Sequence, residues 1–284
     1  MNNSFRRVLS LAAVLLSALS AHAQTVNLTH NNSSASINLN GTGTGAGMTG
    51  WTVDGINHLS QQWFWFRAGG MTSEQTINTI GGLSFSMPDS RTLYSSYFNG
   101  SYGINIAYLL TGFSPGSGIS DISESITITN ATAAPLEFHF FQYSNFQLGG
   151  NSSDTTVQLG RNLRGLFNEA SVIKTNPAFV FALSETVVSP GANHGEAENF
   201  SFTLGRLGDA LATTLNDNSG PVGGGISDPT WAFQWDFIIA PGSSVGISKD
   251  KYLQVIPIPE PSALALVAVG GLAGLALRRA RRKV

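Results

Sequence analysis

In the stretch Trp231-Ala232-Phe233-Gln234-Trp235-Asp236-Phe237 every odd position is aromatic and every even one is small or polar. Residues two apart share a face only in an extended chain, so this segment predicts a β-strand with one buried side. It continues to Ile239 and stops at Pro241-Gly242. Ser125–Thr129 and Leu136–Tyr143 alternate in the same way, and Asn130–Pro135 between them predicts a hairpin with a longer loop. Further strands are expected at Trp51–Val53, Gln62–Arg67, Leu83–Met87, Ile104–Leu109, Phe179–Val188, Asn199–Leu204 and Tyr252–Ile256. No long window between residues 24 and 256 has helical periodicity. The one helix expected is short, Gly208–Leu215, with Asp209 as its N-cap. The fold class is therefore all-β, a two-sheet β-sandwich over residues 51–256, because a parallel α/β sheet would need crossover helices. Residues 24–50, rich in Gly, Ser, Thr and Asn, are expected to be a flexible N-terminal segment.

The ends of the chain read as addresses. Residues 1–23 have the layout of a secretory signal peptide: Arg6-Arg7, an apolar run from Val8 to Ser20, then Ala21-His22-Ala23. Signal peptidase would cut after Ala23 and leave Gln24 as the mature N-terminus. The arginine pair lacks most of a twin-arginine motif, and the apolar run is short for an uncleaved anchor. Toward the other end, Pro257-Ile258-Pro259-Glu260-Pro261 must stay extended. Ser262 to Leu277 carries no charge and would make a single C-terminal transmembrane helix of about 24 Å, slightly short for a bilayer core. Arg278, Arg279, Arg281, Arg282 and Lys283 would hold its far end on the cytoplasmic side.

These three parts in order, Pro259-Glu260-Pro261, a glycine-bearing apolar run and a basic end, resemble the PEP-CTERM sorting domain (residues 257–284). The resemblance implies processing by an exosortase, a membrane enzyme that recognises the Pro-Glu-Pro region and removes the tail. It also implies a Gram-negative setting and an association with exopolysaccharide and biofilm or floc matrix. Pro259, Glu260 and Pro261 would then be a substrate site for another protein.

Charge and composition narrow the function classes. Seven of the 15 basic residues lie in the two end segments; without them, and without Glu260, eight basic side chains face sixteen acidic ones, a net −8. That body is unsuited to phosphate-backbone binding, so nucleic acid is not an expected partner. With no cysteine there is no disulfide framework, thiolate metal site or cysteine nucleophile.

Motif matches are few. Gly112-Phe113-Ser114-Pro115-Gly116 fits the G-x-S-x-G string, but Pro115 and Gly116 cannot open the helix a nucleophile elbow needs, so a turn is expected. Gly45–Gly50 fits G-x-G-x-x-G with no strand before it, a product of glycine density. His139, among strand aromatics, is expected to be a packed or hydrogen-bonded residue. Glu196 and Glu198 beside His194 are expected in a solvated acidic loop. With Asp217, Asn218 and Asp228 they give calcium only weak support, so no metal site and no cofactor are expected. In Trp63-Phe64-Trp65-Phe66 one aromatic pair faces away from the core unless something covers it, which makes Trp63 and Trp65 candidate sugar contacts.

The function expected is a non-enzymatic exported protein, tethered to the inner membrane before processing and then at the cell surface or in the matrix. Its expected partners are signal peptidase, an exosortase and exopolysaccharide. The alternative is a secreted carbohydrate-binding module or a carbohydrate-active enzyme on a β-sandwich. The acidic residues are too dispersed in sequence to single out a catalytic carboxylate pair.

Overall fold

The computed structural model describes residues 24–224 and 228–258. The expected signal peptide, Ala21 and Ala23 included, and residues 259–284, with Pro259, Glu260, Pro261, the apolar run and the basic end, lie outside the described residues. Gln24 is the first described residue and is exposed.

The first strands are β1 (Thr25–His30), β2 (Ser33–Asn38), β3 (Gly47–Val53), β4 (Ile56–Asn57), β5 (Leu59–Ala68) and β6 (Gln75–Thr76). Next come β7 (Ser84–Asp89), β8 (Thr92–Phe98), β9 (Tyr102–Gly112), β10 (Ile119–Asn130), β11 (Leu136–Phe146) and β12 (Thr155–Arg161). The last are β13 (Phe167–Thr175), β14 (Phe179–Ser189), β15 (His194–Asn199), β16 (Val222–Gly223), β17 (Pro229–Ile239) and β18 (Ser244–Pro257). The α-helix among the described residues is α1 (Phe200–Leu207). It is far too short to cross a membrane, and no described helix is long and apolar enough to do so. The strands form two sheets, ordered β1-β2-β3-β5-β11-β17-β15 and β16-β12-β13-β14-β18-β10-β9-β8-β7, with β4 paired to β3 and β6 to β5. This is the expected two-sheet all-β body.

The aromatic strand β17 sits between β11 and β15, antiparallel to both. Its odd positions Trp231, Phe233 and Trp235 are buried. Phe138, Phe140, Phe64 and Phe66 pack with them, in stacked pairs Phe64–Phe140 and Phe66–Phe138. From the second sheet come aliphatic side chains, among them Ile122, Ile126, Ile247 and Leu253, all buried. Each such side chain contributes roughly 1.5–3 kcal/mol by leaving water, so the alternation itself accounts for the association of the sheets.

Three sequence expectations are corrected. Residues 24–50 are not a flexible leader to the body: β1 and β2 form a hairpin at the edge of the first sheet, with Val26, Leu28, Ala35 and Ile37 buried. Their short apolar alternation was hidden among Ser, Thr and Asn. Ser125–Thr129 and Leu136–Tyr143 are not a hairpin, because β10 lies in the second sheet and β11 in the first. Asn130 makes the corner, its side-chain amide donating to the carbonyls of Ala134, Ile239 and Ala240. Period two is the same for a hairpin and for a chain changing sheets, so pattern could not separate them. Finally, the helix spans Phe200–Leu207, where a strand was expected at Asn199–Leu204, and Gly208–Leu215, where the helix was expected, is irregular. Asp209 closes a local turn by accepting the Leu211 amide at 2.7 Å.

Candidate functional site

The candidate sugar contacts Trp63 and Trp65 are not a surface platform: they are 0% and 4% exposed. Trp63 donates its indole N–H to Asn78 Oδ1 at 3.4 Å and meets the Tyr97 ring edge-on. Trp65 packs edge-on against Tyr143, and its strand pairs with β6. The residues that roof this part of the first sheet are anchored by polar groups. Glu74 accepts the Thr213 amide and pairs with Arg67 at 2.9 Å, and Gln234 accepts the Leu215 amide. Glu196, expected in a solvated loop, is fully buried on β15. It pairs with Arg206 of α1 and accepts hydrogen bonds from the Thr203 hydroxyl and the Asn216 amide. Covering segments distant in sequence left no local signal for this roof.

Gly112–Gly116 lies in the β9–β10 turn, as expected. The Asp54 carboxylate gathers the amides of Gly116 and Gly118 and the Asn32 side chain. Burial opposes the charge on Asp54, but these hydrogen bonds outweigh it and hold its pKa below the usual value.

His139 is hydrogen-bonded, as expected, and belongs to a wider row. On adjacent β11 and β17, His139 and Asp236 are register partners, Nδ1 to Oδ1 2.6 Å, while His139 Nε2 faces Glu137 at 3.0 Å. His194 lies 3.1 Å from Asp217 and 3.6 Å from the other Asp236 oxygen. The Asp236 hydrogen bond raises the His139 pKa; burial opposes ionisation of Asp236, but hydrogen bonds from His139 and Gln234 lower its pKa overall. Glu198 and Asn218 are joined by a hydrogen bond, and Asp228 accepts one from Asn145. Among the described residues, no three His, Asp or Glu are arranged to hold a metal ion.

The second sheet presents a different outer face. Along β10 the outward residues are Asp121, Ser123, Ser125 and Thr127; along β18 they are Ser248, Asp250 and Tyr252. All are exposed or half-exposed. At the β7 edge, Phe85 and Tyr94 rise beside Asn105, Ser125 and Thr127 to form a groove of about 510 Å³. A second hollow of about 250 Å³ shares Tyr94, Ala107 and Ser125 with it and reaches Ser123 and Ser248. Tyr94 is 51% exposed.

Next to that hollow the fold makes a carboxylate pair. Ser123 is opposite Asp250 and Asp121 opposite Tyr252, so Asp121 and Asp250 are diagonal neighbours on one face. The Ser123 hydroxyl donates to Asp250 at 2.7 Å and lies 3.4 Å from Asp121. Burial and the neighbouring Asp250 charge push the Asp121 carboxyl up to about 7. Asp121 can therefore hold a proton near neutral pH. Sequence reasoning missed this pair because its members lie on strands far apart in the chain.

The comparisons bear on the two parts of the chain separately. Residues 257–282 match the PEP-CTERM protein-sorting motif. The PEP-CTERM motif implies an exported protein that is anchored in the membrane before an exosortase processes it. No curated protein matches the chain. The body is similar in fold to a bacterial glucoamylase solved with acarbose (TM-score 0.48, 8% identity), covering 87% of this chain and 36% of that one. It is also similar to a putative aldose 1-epimerase from Escherichia coli K12 (TM-score 0.46, 10% identity), covering 83% and 99%. A polysaccharide lyase follows (TM-score 0.44, 14% identity), covering 82% and 32%. The chain thus spans about a third of the glucoamylase and of the lyase. The expectation that the body is non-enzymatic is withdrawn, since these neighbours are themselves named as enzymes. The likeness is one of fold and assigns this chain no reaction.

Proposed function

We propose that this is a protein of the bacterial cell surface or exopolysaccharide matrix whose body seats a polysaccharide chain along the outer face of the second sheet. The groove at Phe85 and Tyr94 carries the reading. Its exposed tyrosine offers a flat apolar surface for the C–H face of a sugar, and the Ser, Thr and Asn side chains beside it match sugar hydroxyls. The hydroxyl-rich strands β10 and β18 extend the same chemistry beyond one residue's reach. The sorting motif supports a destination outside the cytoplasm, where such a polymer is met. The acidic body favours a neutral glycan, or an anionic one bridged by divalent cations, because a net −8 repels a polyanion at low salt.

Affinity electrophoresis of the processed protein in gels carrying polysaccharide from the producing cells tests the proposal. The wild type should be retarded, and Ser125→Trp, which fills the groove, should run freely. Equal mobility with and without polysaccharide, with and without calcium, rules the reading out.

A further inference from the structure

Four charged side chains lie in the core between the sheets, where a cysteine-free exported protein would be expected to hold only apolar groups. Glu124 on β10, Glu185 on β14, and Lys249 and Lys251 on β18 each have side chains 0–1% exposed. Glu124 is the register partner of Lys249, and Glu185 that of Lys251. Lys249 Nζ contacts Glu124 Oε2, while Lys251 Nζ lies 2.7 Å from Oε1 of the same carboxylate. Glu185 Oε1 is 3.4 Å from Lys249 and 3.5 Å from Lys251. Gln142 and the Trp231 indole donate to Glu185, Gln62 approaches Glu124, and the Phe64 ring lies 5.0 Å from Lys249.

We propose that Lys249 and Glu124 condense into an intramolecular side-chain amide that staples β18 to β10. The surroundings divide the roles. Burial lowers the Lys249 pKa despite Glu124, whereas for Lys251 the two carboxylates outweigh burial and keep the ammonium charged. Lys249 passes one proton to Oε2 of Glu124, which it contacts, so that a free amine faces a neutral carboxyl, and the amine attacks Cδ of Glu124. Lys251 holds Oε1 through the tetrahedral stage, as a donor to a developing oxyanion does. The Cδ–Oε2 bond then breaks, and that oxygen leaves as water, carrying the proton it took from Lys249 at the start and a second one that the new C–N nitrogen releases through Glu185. Three hydrogens on the ammonium become one on the amide and two on the water, one positive and one negative charge disappear, and no oxidant is required. The product is neutral, so the penalty of keeping that ion pair out of water is removed. Lys251 and Glu185 remain as a matched pair.

The location suits a cross-link. β18 ends at Pro257, where the sorting motif begins, so any pull on the tail is felt first by this strand. The bond would close a span of 125 residues in a chain that has no cysteine to close it otherwise.

Protease digestion of the denatured exported protein, followed by tandem mass spectrometry, tests the proposal. A branched peptide joining the Glu124 and Lys249 segments, lighter than their sum by one water, is expected. Lys249→Met should return the Glu124 peptide at full mass, and if that variant does not fold, the wild-type digest alone decides. Wild-type Glu124 and Lys249 peptides recovered unlinked overturn the proposal. A link that uses Lys251, or Gln62 with loss of ammonia, overturns the assignment of these residues.

Discussion

The indole N–H of Trp231 donates to Glu185 Oε2 at 2.9 Å, so the most regular apolar strand of the first sheet is tied to a buried carboxylate of the second. Glu185→Gln takes counter-charge out of a dry core that still holds the Lys251 ammonium, and loss of one partner of a buried pair costs about 3–5 kcal/mol. Trp231→Phe keeps most of the packing but removes the donor, at about 1–3 kcal/mol. Urea unfolding curves should rank the variants in that order. Equal midpoints for Glu185→Gln and wild type would show the charges are not buried.

Asp121 sets a pH slope. Its unfolded pKa is 3.8 and its folded pKa about 7, so across this window the folded state binds more protons than the unfolded one. Stability therefore falls as pH rises from about 4 to about 7 and levels off above. Asp121→Asn should flatten that slope and melt above wild type at pH 8, read by thermal denaturation across the range.

His139 and Asp236 act in a different window. The raised His139 pKa gives stability that is complete below 6.5 and lost as pH rises through the folded value. The lowered Asp236 pKa gives stability present above 3.8 and lost as pH falls through the folded value. The pair therefore stabilises most between the two. His139→Gln should cost about 1 kcal/mol near pH 5.5, since the pair is partly solvated, and almost nothing at pH 9.

Tyr94→Ala should weaken polysaccharide retention about three- to tenfold, the range of one lost ring–sugar stack. The side chain is half exposed, so the melting temperature should scarcely move. Unchanged retention would place the polysaccharide elsewhere on the sheet.

Processing should alter charge visibly. Loss of both basic end segments takes the chain from −2 to about −8, so the exported form should focus well below the full-length pI of 6.2. Glu260→Ala should leave membrane-bound protein still ending at Val284, read by intact mass.

What the sequence determined by itself was whatever depends on near neighbours. Alternation at 231–237 dictated a strand, because side-chain direction repeats every two residues whatever lies beyond. The order of Pro259-Glu260-Pro261, apolar run and arginines is likewise a local signal, complete within one short segment. Tertiary structure decided the rest. Whether Trp63 and Trp65 met solvent depended on residues far off in the chain, Asn78 and Tyr97 against Trp63 and Tyr143 against Trp65. Asp121 met Asp250, and Glu124 met Lys249, only through the register of β10 against β18. Period two says which side chains share a face but not which strand lies alongside, and a carboxylate's proton or a lysine's charge answers to that neighbour.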